Sequence, residues 1–87
     1  MVELRIPFPG FHALRLVEDD KVVFAVGIAM PGVYDFGVHK NAEVIHVLNG
    51  YLIINGVKYQ PHHAPCLIGA GESAIIKVDV PSSYRRT

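Results

Sequence analysis

His39 and Glu43, with three residues between them, form the one ordered spacing of chemically capable side chains in this sequence. They open the stretch HKNAEVIHVLNGYLIING, from His39 to Gly56. Glu43 precedes Ile45 and Val47 at two-residue steps, so in an extended strand its carboxylate faces the same way as they do. An ionised carboxylate among apolar side chains is costly unless it meets a donor, and His39 is the nearest one in sequence. The pair also supplies two potential metal ligands, whereas a catalytic metal normally takes three from the protein. His62, His63 or Cys66 would have to move in from another strand to complete a set, so no metal and no other cofactor is expected. His62 and His63 follow Pro61 in a loop and read as solvated. Cys66 enters an apolar strand and reads as an inert buried thiol rather than a nucleophile.

The elements that must position these residues are strands. Asn49-Gly50 and Asn55-Gly56 each separate apolar runs, and Asn-Gly is the strongest short signal for a type I′ hairpin turn. Glu43–Leu48, Tyr51–Ile54 and Val57–Tyr59 are therefore expected to form a three-stranded antiparallel meander. Alternation then gives two faces. One carries Glu43, Ile45, Val47, Leu52, Ile54, Val57 and Tyr59, and the other Val44, His46, Leu48, Tyr51 and Ile53. Both are largely apolar, so one should line an interior and the other meet a second sheet or subunit.

The rest of the chain reads the same way. Val2–Phe8 and Phe11–Glu18 are strands, closed by Pro9-Gly10 and by the acidic turn Glu18-Asp19-Asp20-Lys21. Val22–Met30 has a large face (Phe24, Val26, Ile28, Met30) and a mostly small one (Val23, Ala25, Gly27, Ala29) that would let another sheet or subunit approach closely. Pro31-Gly32 turns and Val33–Phe36 resumes. After the loop from Pro61 to Pro65, Cys66–Ile68 is short and Ser73–Val80 is the last strong strand, ending before Pro81. No segment has helical periodicity with caps. The expectation is one all-β domain over residues 1–87.

A chain of 87 residues buries only about 60–65% of its unfolded surface, yet 51% of its residues are apolar. A homodimer would cover the excess. Zero formal net charge and the absence of a basic run argue against nucleic acid or anionic membrane as partners. No apolar stretch is long enough to span a bilayer, and the first residues lack the apolar core of a signal peptide. With a single cysteine, a cytoplasmic location is the default.

The run His39, three residues, Glu43, six residues, Gly50 resembles the first motif of the cupins, where glycine and His-x-His precede the same Glu and Gly. Gly37 occupies the place of the first histidine. The second cupin motif falls on Gly69-Ala70-Gly71-Glu72-Ser73-Ala74, with Ala74 in the place of the last. The resemblance implies a small conical antiparallel β-barrel of the jelly-roll type, here without its metal.

Read whole, the chain is similar to the small pyrimidine/purine nucleoside phosphorylases, which are one-domain cupins. The similarity is carried by VGIAMPGVYDF, the Glu43–Gly50 segment, the GAGES turn and VDVPSSY, with Gly27, Gly32, Tyr34, Phe36, Glu43, Gly50, Gly71, Ser73, Val78, Pro81 and Tyr84 in order. It implies metal-free phosphorolysis of nucleosides to free base and pentose 1-phosphate. That chemistry develops oxocarbenium character on the sugar, which a carboxylate can stabilise. Glu43 takes this role, and His39 serves the departing base. Arg85, Arg86 and Lys40 are the candidate phosphate ligands, and Tyr34 offers a stacking face and a hydroxyl. The alternative is a non-catalytic degenerate cupin that binds a small polar ligand or acts as a dimeric interaction module.

Overall fold

The computed structural model describes Met1–Thr87 and contains ten strands and no helix. They are β1 (Val2–Phe8), β2 (Phe11–Glu18), β3 (Lys21–Ala29), β4 (Gly32–Val38), β5 (Glu43–Asn49), β6 (Leu52–Ile54), β7 (Val57–Tyr59), β8 (Cys66–Ile68), β9 (Ser73–Val78) and β10 (Ser82–Arg86). They form two antiparallel sheets, one of six strands in the order β1-β2-β3-β10-β5-β8 and one of four in the order β4-β9-β6-β7. The sheets face each other around one apolar core. Nine of the ten strands fall where period-2 alternation between turns places them.

Two expectations need correction. Asn55-Gly56 is the hairpin turn that its dipeptide signals: both residues have positive φ, and Ile54 pairs with Val57. Asn49-Gly50 is not. Only Gly50 of that pair has positive φ, and β5 and β6 belong to different sheets. The backbone N–H of Tyr51, which a hairpin would use near its turn, donates instead to Ser82 Oγ at 3.1 Å. That hydroxyl also lies within donor reach of the Tyr51 and Val80 carbonyls, at 3.0 and 2.8 Å. Gly50 makes the crossing possible, because a Cβ there would run into Ser82 and sit 2.9 Å from the Pro81 carbonyl.

The second correction is β10. The polar segment SSYRR has no apolar alternation to mark it, yet it lies inside the larger sheet between β3 and β5. Its two neighbours supply the ladder hydrogen bonds that its own sequence does not advertise.

The faces survive the loss of the meander. Glu43, Ile45, Val47, Leu52 and Ile54 are all buried, as one face requires, because β5 and β6 present the same alternation to one interior from opposite sheets. Val57 departs from it and is exposed. On β3 the small face turns inward: Ala25 and Ala29 are buried, while Val26, Ile28 and the following Met30 are exposed. The large face of that strand is thus the outside of the sheet.

The core is strongly aromatic. Phe11 sits between Tyr34, Phe36 and Tyr84, with ring centroids 4.9–5.3 Å away, and Phe8 closes on Tyr34 and Phe36. Most of these rings are tilted or edge-on, the arrangement their quadrupoles favour.

Candidate functional site

A cavity of about 250 Å³ opens between the sheets. Its apolar wall is Phe11, Phe36, Ile45, Leu52 and Ile76, and its polar groups are Arg5, Arg15, His39, Glu43, Tyr84 and Arg86. Small-molecule sites commonly enclose about 300–1,000 Å³ and combine an apolar lining with a few placed polar groups. This one has that make-up in a volume just below that range.

Glu43 is its centre. The carboxylate is 9% exposed, at the start of β5. Its Oε2 lies 2.7 Å from Arg86 Nε, and its Oε1 lies 3.2 Å from His39 Nε2. Arg86 reaches it because β10 runs beside β5 with Arg86 opposite Ile45, so Glu43 is the diagonal neighbour on the same face. His39 stands at the start of the β4–β5 connection, held by its own N–H to the Glu72 carbonyl at 2.9 Å and by Gly71 N–H to its carbonyl at 2.8 Å. His39 Nδ1 is buried without a partner. The tautomer protonated on Nε2 gives Glu43 a donor and leaves no buried N–H unpaired.

Tyr84 stands opposite Gly27 in the β3–β10 ladder, and its ring occupies the space that a side chain there would need. Burial pushes the Tyr84 phenol up to about 12; Arg86 opposes this and Glu43 adds to it. It therefore keeps its proton at any physiological pH.

Of the six residues nominated from the sequence, the fold brings Glu43, His39 and Arg86 together. The other three lie elsewhere. Tyr34 is buried in the aromatic core, outside the cavity lining, and its hydroxyl donates to the Met30 carbonyl at 2.6 Å. Arg85 alternates to the outer face of the six-stranded sheet, between Val26 and His46. Lys40 is exposed in the turn between β4 and β5. Two cavity arginines, Arg5 and Arg15, escaped the sequence reading. Their signal was available: in β1 and β2 they occupy the same alternation as buried Phe11 and Ala13.

Metal ligation does not fit these side chains. Gly37 and Ala74, at the places of two cupin ligands, are cross-strand partners in the β4–β9 ladder. Glu43 already faces a guanidinium, and no group of three or more His, Cys, Asp or Glu side chains is gathered anywhere. His62 and His63 are exposed. Cys66 is buried, and desolvation holds its thiol above the usual range, with Tyr59 opposing the shift.

No protein-family model and no curated protein matches the sequence. Solved structures do match. A protein of unknown function from Vibrio parahaemolyticus superposes with a TM-score of 0.79 at 18% identity, over 99% of this chain and 96% of that one. A protein of unknown function (DUF1255) from Acidithiobacillus ferrooxidans gives 0.67 at 23% identity, over 100% and 89%. The cupin domain of an XRE family transcriptional regulator from Enterobacter cloacae gives 0.58 at 13% identity, over 99% and 90%. At these identities the likeness is one of fold. Two facing antiparallel sheets, a cavity between them and these neighbours together give the chain the fold of the cupins.

Proposed function

We propose that the cavity takes a nucleoside and catalyses its metal-free phosphorolysis to free base and pentose 1-phosphate. The observation that carries this reading is Glu43, buried at the cavity wall and held from two sides by Arg86 and His39. Each carboxylate oxygen has one close partner and keeps lone pairs for a ribose hydroxyl. As a phosphate oxygen bonds to the anomeric carbon, the electrons of the C–N bond leave with the base. Positive charge builds on the sugar while the C–N bond breaks ahead of that new bond, beside a carboxylate that is already in place. The departing base takes up a proton, which His39 on the cavity wall supplies when it is protonated. Phe11 and Phe36 give the base an apolar wall and exclude water. Incubation with inosine or uridine plus phosphate, with free base and pentose 1-phosphate measured together, tests the reading. No product from either nucleoside rejects it.

The second reading, a dimeric interaction module, is favoured by the outside of the six-stranded sheet. Leu4, Leu14, Val26, Arg85 and His46 form one row across five strands. Leu4, Leu14, Val26, Ile28 and Leu48 are all exposed. Strands about 4.8 Å apart with about 3.3 Å per residue make this face on the order of 500 Å² in projection. Side-chain relief brings it towards the roughly 800 Å² per partner of a standard interface. A second copy of the same nearly uncharged face is its natural cover, sheet packed on sheet. A free, buried cysteine is compatible with the cytoplasmic location that the sequence favours.

A further inference from the structure

The inner face of the six-stranded sheet carries more positive charge than the chemistry at Glu43 uses. Register places Glu3, Arg15, Ala25 and Arg86 in one row, and Arg5, Ala13, Gly27 and Tyr84 in the next. With strands about 4.8 Å apart, Arg15 and Arg86 start about 10 Å from each other. Only the methyl group of Ala25 stands between them, so both long side chains have room to reach into one cavity. Arg5 is the diagonal neighbour of Arg15 across the β1–β2 pair, and all three arginines line that cavity.

Their counter-charges are unequal. Arg86 faces Glu43, and Arg15 is held by Glu3 through Nε at 2.9 Å and through Nη2. Arg5 has no acidic partner. With His39 neutral, the three arginines and two glutamates leave one positive charge for an incoming group to neutralise.

We infer that Arg5 and Arg15 form an anion subsite at the cavity mouth that holds a phosphate group. Arg5 is exposed and stands where a charged ligand would arrive from solvent. Arg15 is half-buried and fixed by Glu3, with Nη1 left unpaired. Two guanidiniums supply planar sets of donors that match a tetrahedral oxyanion better than a lysine would. The same cavity is lined by Glu43 and by Phe11, Phe36 and Leu52, so a sugar bound there would present its phosphate to the arginines and a hydroxyl to the carboxylate. The inference rests on the phosphorolysis reading for what the anion does there. The phosphate could arrive free, as co-substrate, or on a sugar, as product.

Calorimetric titration of the full chain with inorganic phosphate, and separately with ribose 1-phosphate, tests this at low salt. Arg5→Gln removes an exposed, unpaired cation and should keep the fold, which its melting temperature verifies. Phosphate affinity should fall at least tenfold in Arg5→Gln and rise in Glu3→Gln, which leaves Arg15 unmatched. Lys21→Gln, at the start of β3, should bind as the unaltered chain does. Binding of free phosphate identifies the co-substrate, and binding of the ester alone identifies the product. No binding of either at millimolar concentration, or equal binding by the unaltered chain and Arg5→Gln, overturns the inference. Nucleoside cleavage by the unaltered chain is scored separately. Its absence beside an intact, Arg5-dependent phosphate site would reject phosphorolysis and leave the subsite standing.

Discussion

Arg86 Nε and Glu43 Oε2 meet at 2.7 Å although half the chain separates them, because β10 slots between β3 and β5 with Arg86 opposite Ile45. That contact explains how a carboxylate sits among Ile45, Val47 and Leu52. The desolvation cost of the charge is offset by a guanidinium that is itself only 28% exposed.

Glu43→Gln keeps shape and hydrogen-bonding capacity and removes the charge. Phosphorolysis, or nucleoside binding, should fall tenfold or more, about 1.4 kcal/mol. Stability should fall by roughly 1–2 kcal/mol, because Arg86 loses a charged acceptor. Arg86→Met strands the carboxylate and should cost about 3 kcal/mol or more. Denaturant melts of both variants and of the double variant check the pair, whose coupling should reach about 1 kcal/mol. A folded Glu43→Gln with unchanged activity would place the chemistry elsewhere.

Alkaline stability should depend on Tyr84. Its folded value of about 12 exceeds the unfolded value of 10.0, chiefly through burial. The unfolded chain therefore gives up this proton first as pH rises. The stabilisation is fully present below pH 10 and is lost as pH approaches 12, by about 2–3 kcal/mol at most. Urea melts across that window should show the loss, and Tyr84→Phe should reduce its slope. Equal slopes in both proteins would contradict the burial of the phenol.

Association should pass through the outer sheet face. Light scattering of the unaltered chain should give twice the 9.6 kDa protomer mass. Leu14→Lys and Val26→Lys place charges on exposed positions of that face and should yield folded monomers. A monomeric parent at micromolar concentration rejects the dimer.

Cys66 should be unreactive while the chain is folded. It is 4% exposed and burial holds its thiol protonated above the usual range. Iodoacetamide at mildly alkaline pH should label it only after denaturant is added; rapid labelling of the native protein would contradict this.

Metal content follows from Gly37 and Ala74, which give no ligand at two cupin positions. Elemental analysis after mild chelation should find well under one iron, zinc, manganese or nickel per chain. Stoichiometric metal would bring His62 and His63 forward.

What the sequence determined by itself was everything that depends on local alternation. Period 2 with Gly, Pro and Asp turns placed nine of the ten strands and the inward face of Glu43, Ile45, Leu52 and Ile54. It also placed the Asn55-Gly56 hairpin and marked His39 as the donor nearest Glu43 in sequence, but four extended residues can span about 13 Å, so only the fold brings the two within 3.2 Å. Tertiary structure decided the rest. Asn49-Gly50 carries the same dipeptide as Asn55-Gly56, but Ser82 captures the Tyr51 backbone and the chain changes sheets. SSYRR became a central strand because β3 and β5 left a gap with unpaired backbone groups between them. That insertion aimed Arg86 at Glu43 and turned Arg85 outward. The row of small residues on β3, legible as a place of close approach, proved to be room for Tyr84 and the cavity arginines. Which long side chains converge over a small one depends on register between strands distant in sequence, and no local pattern encodes it.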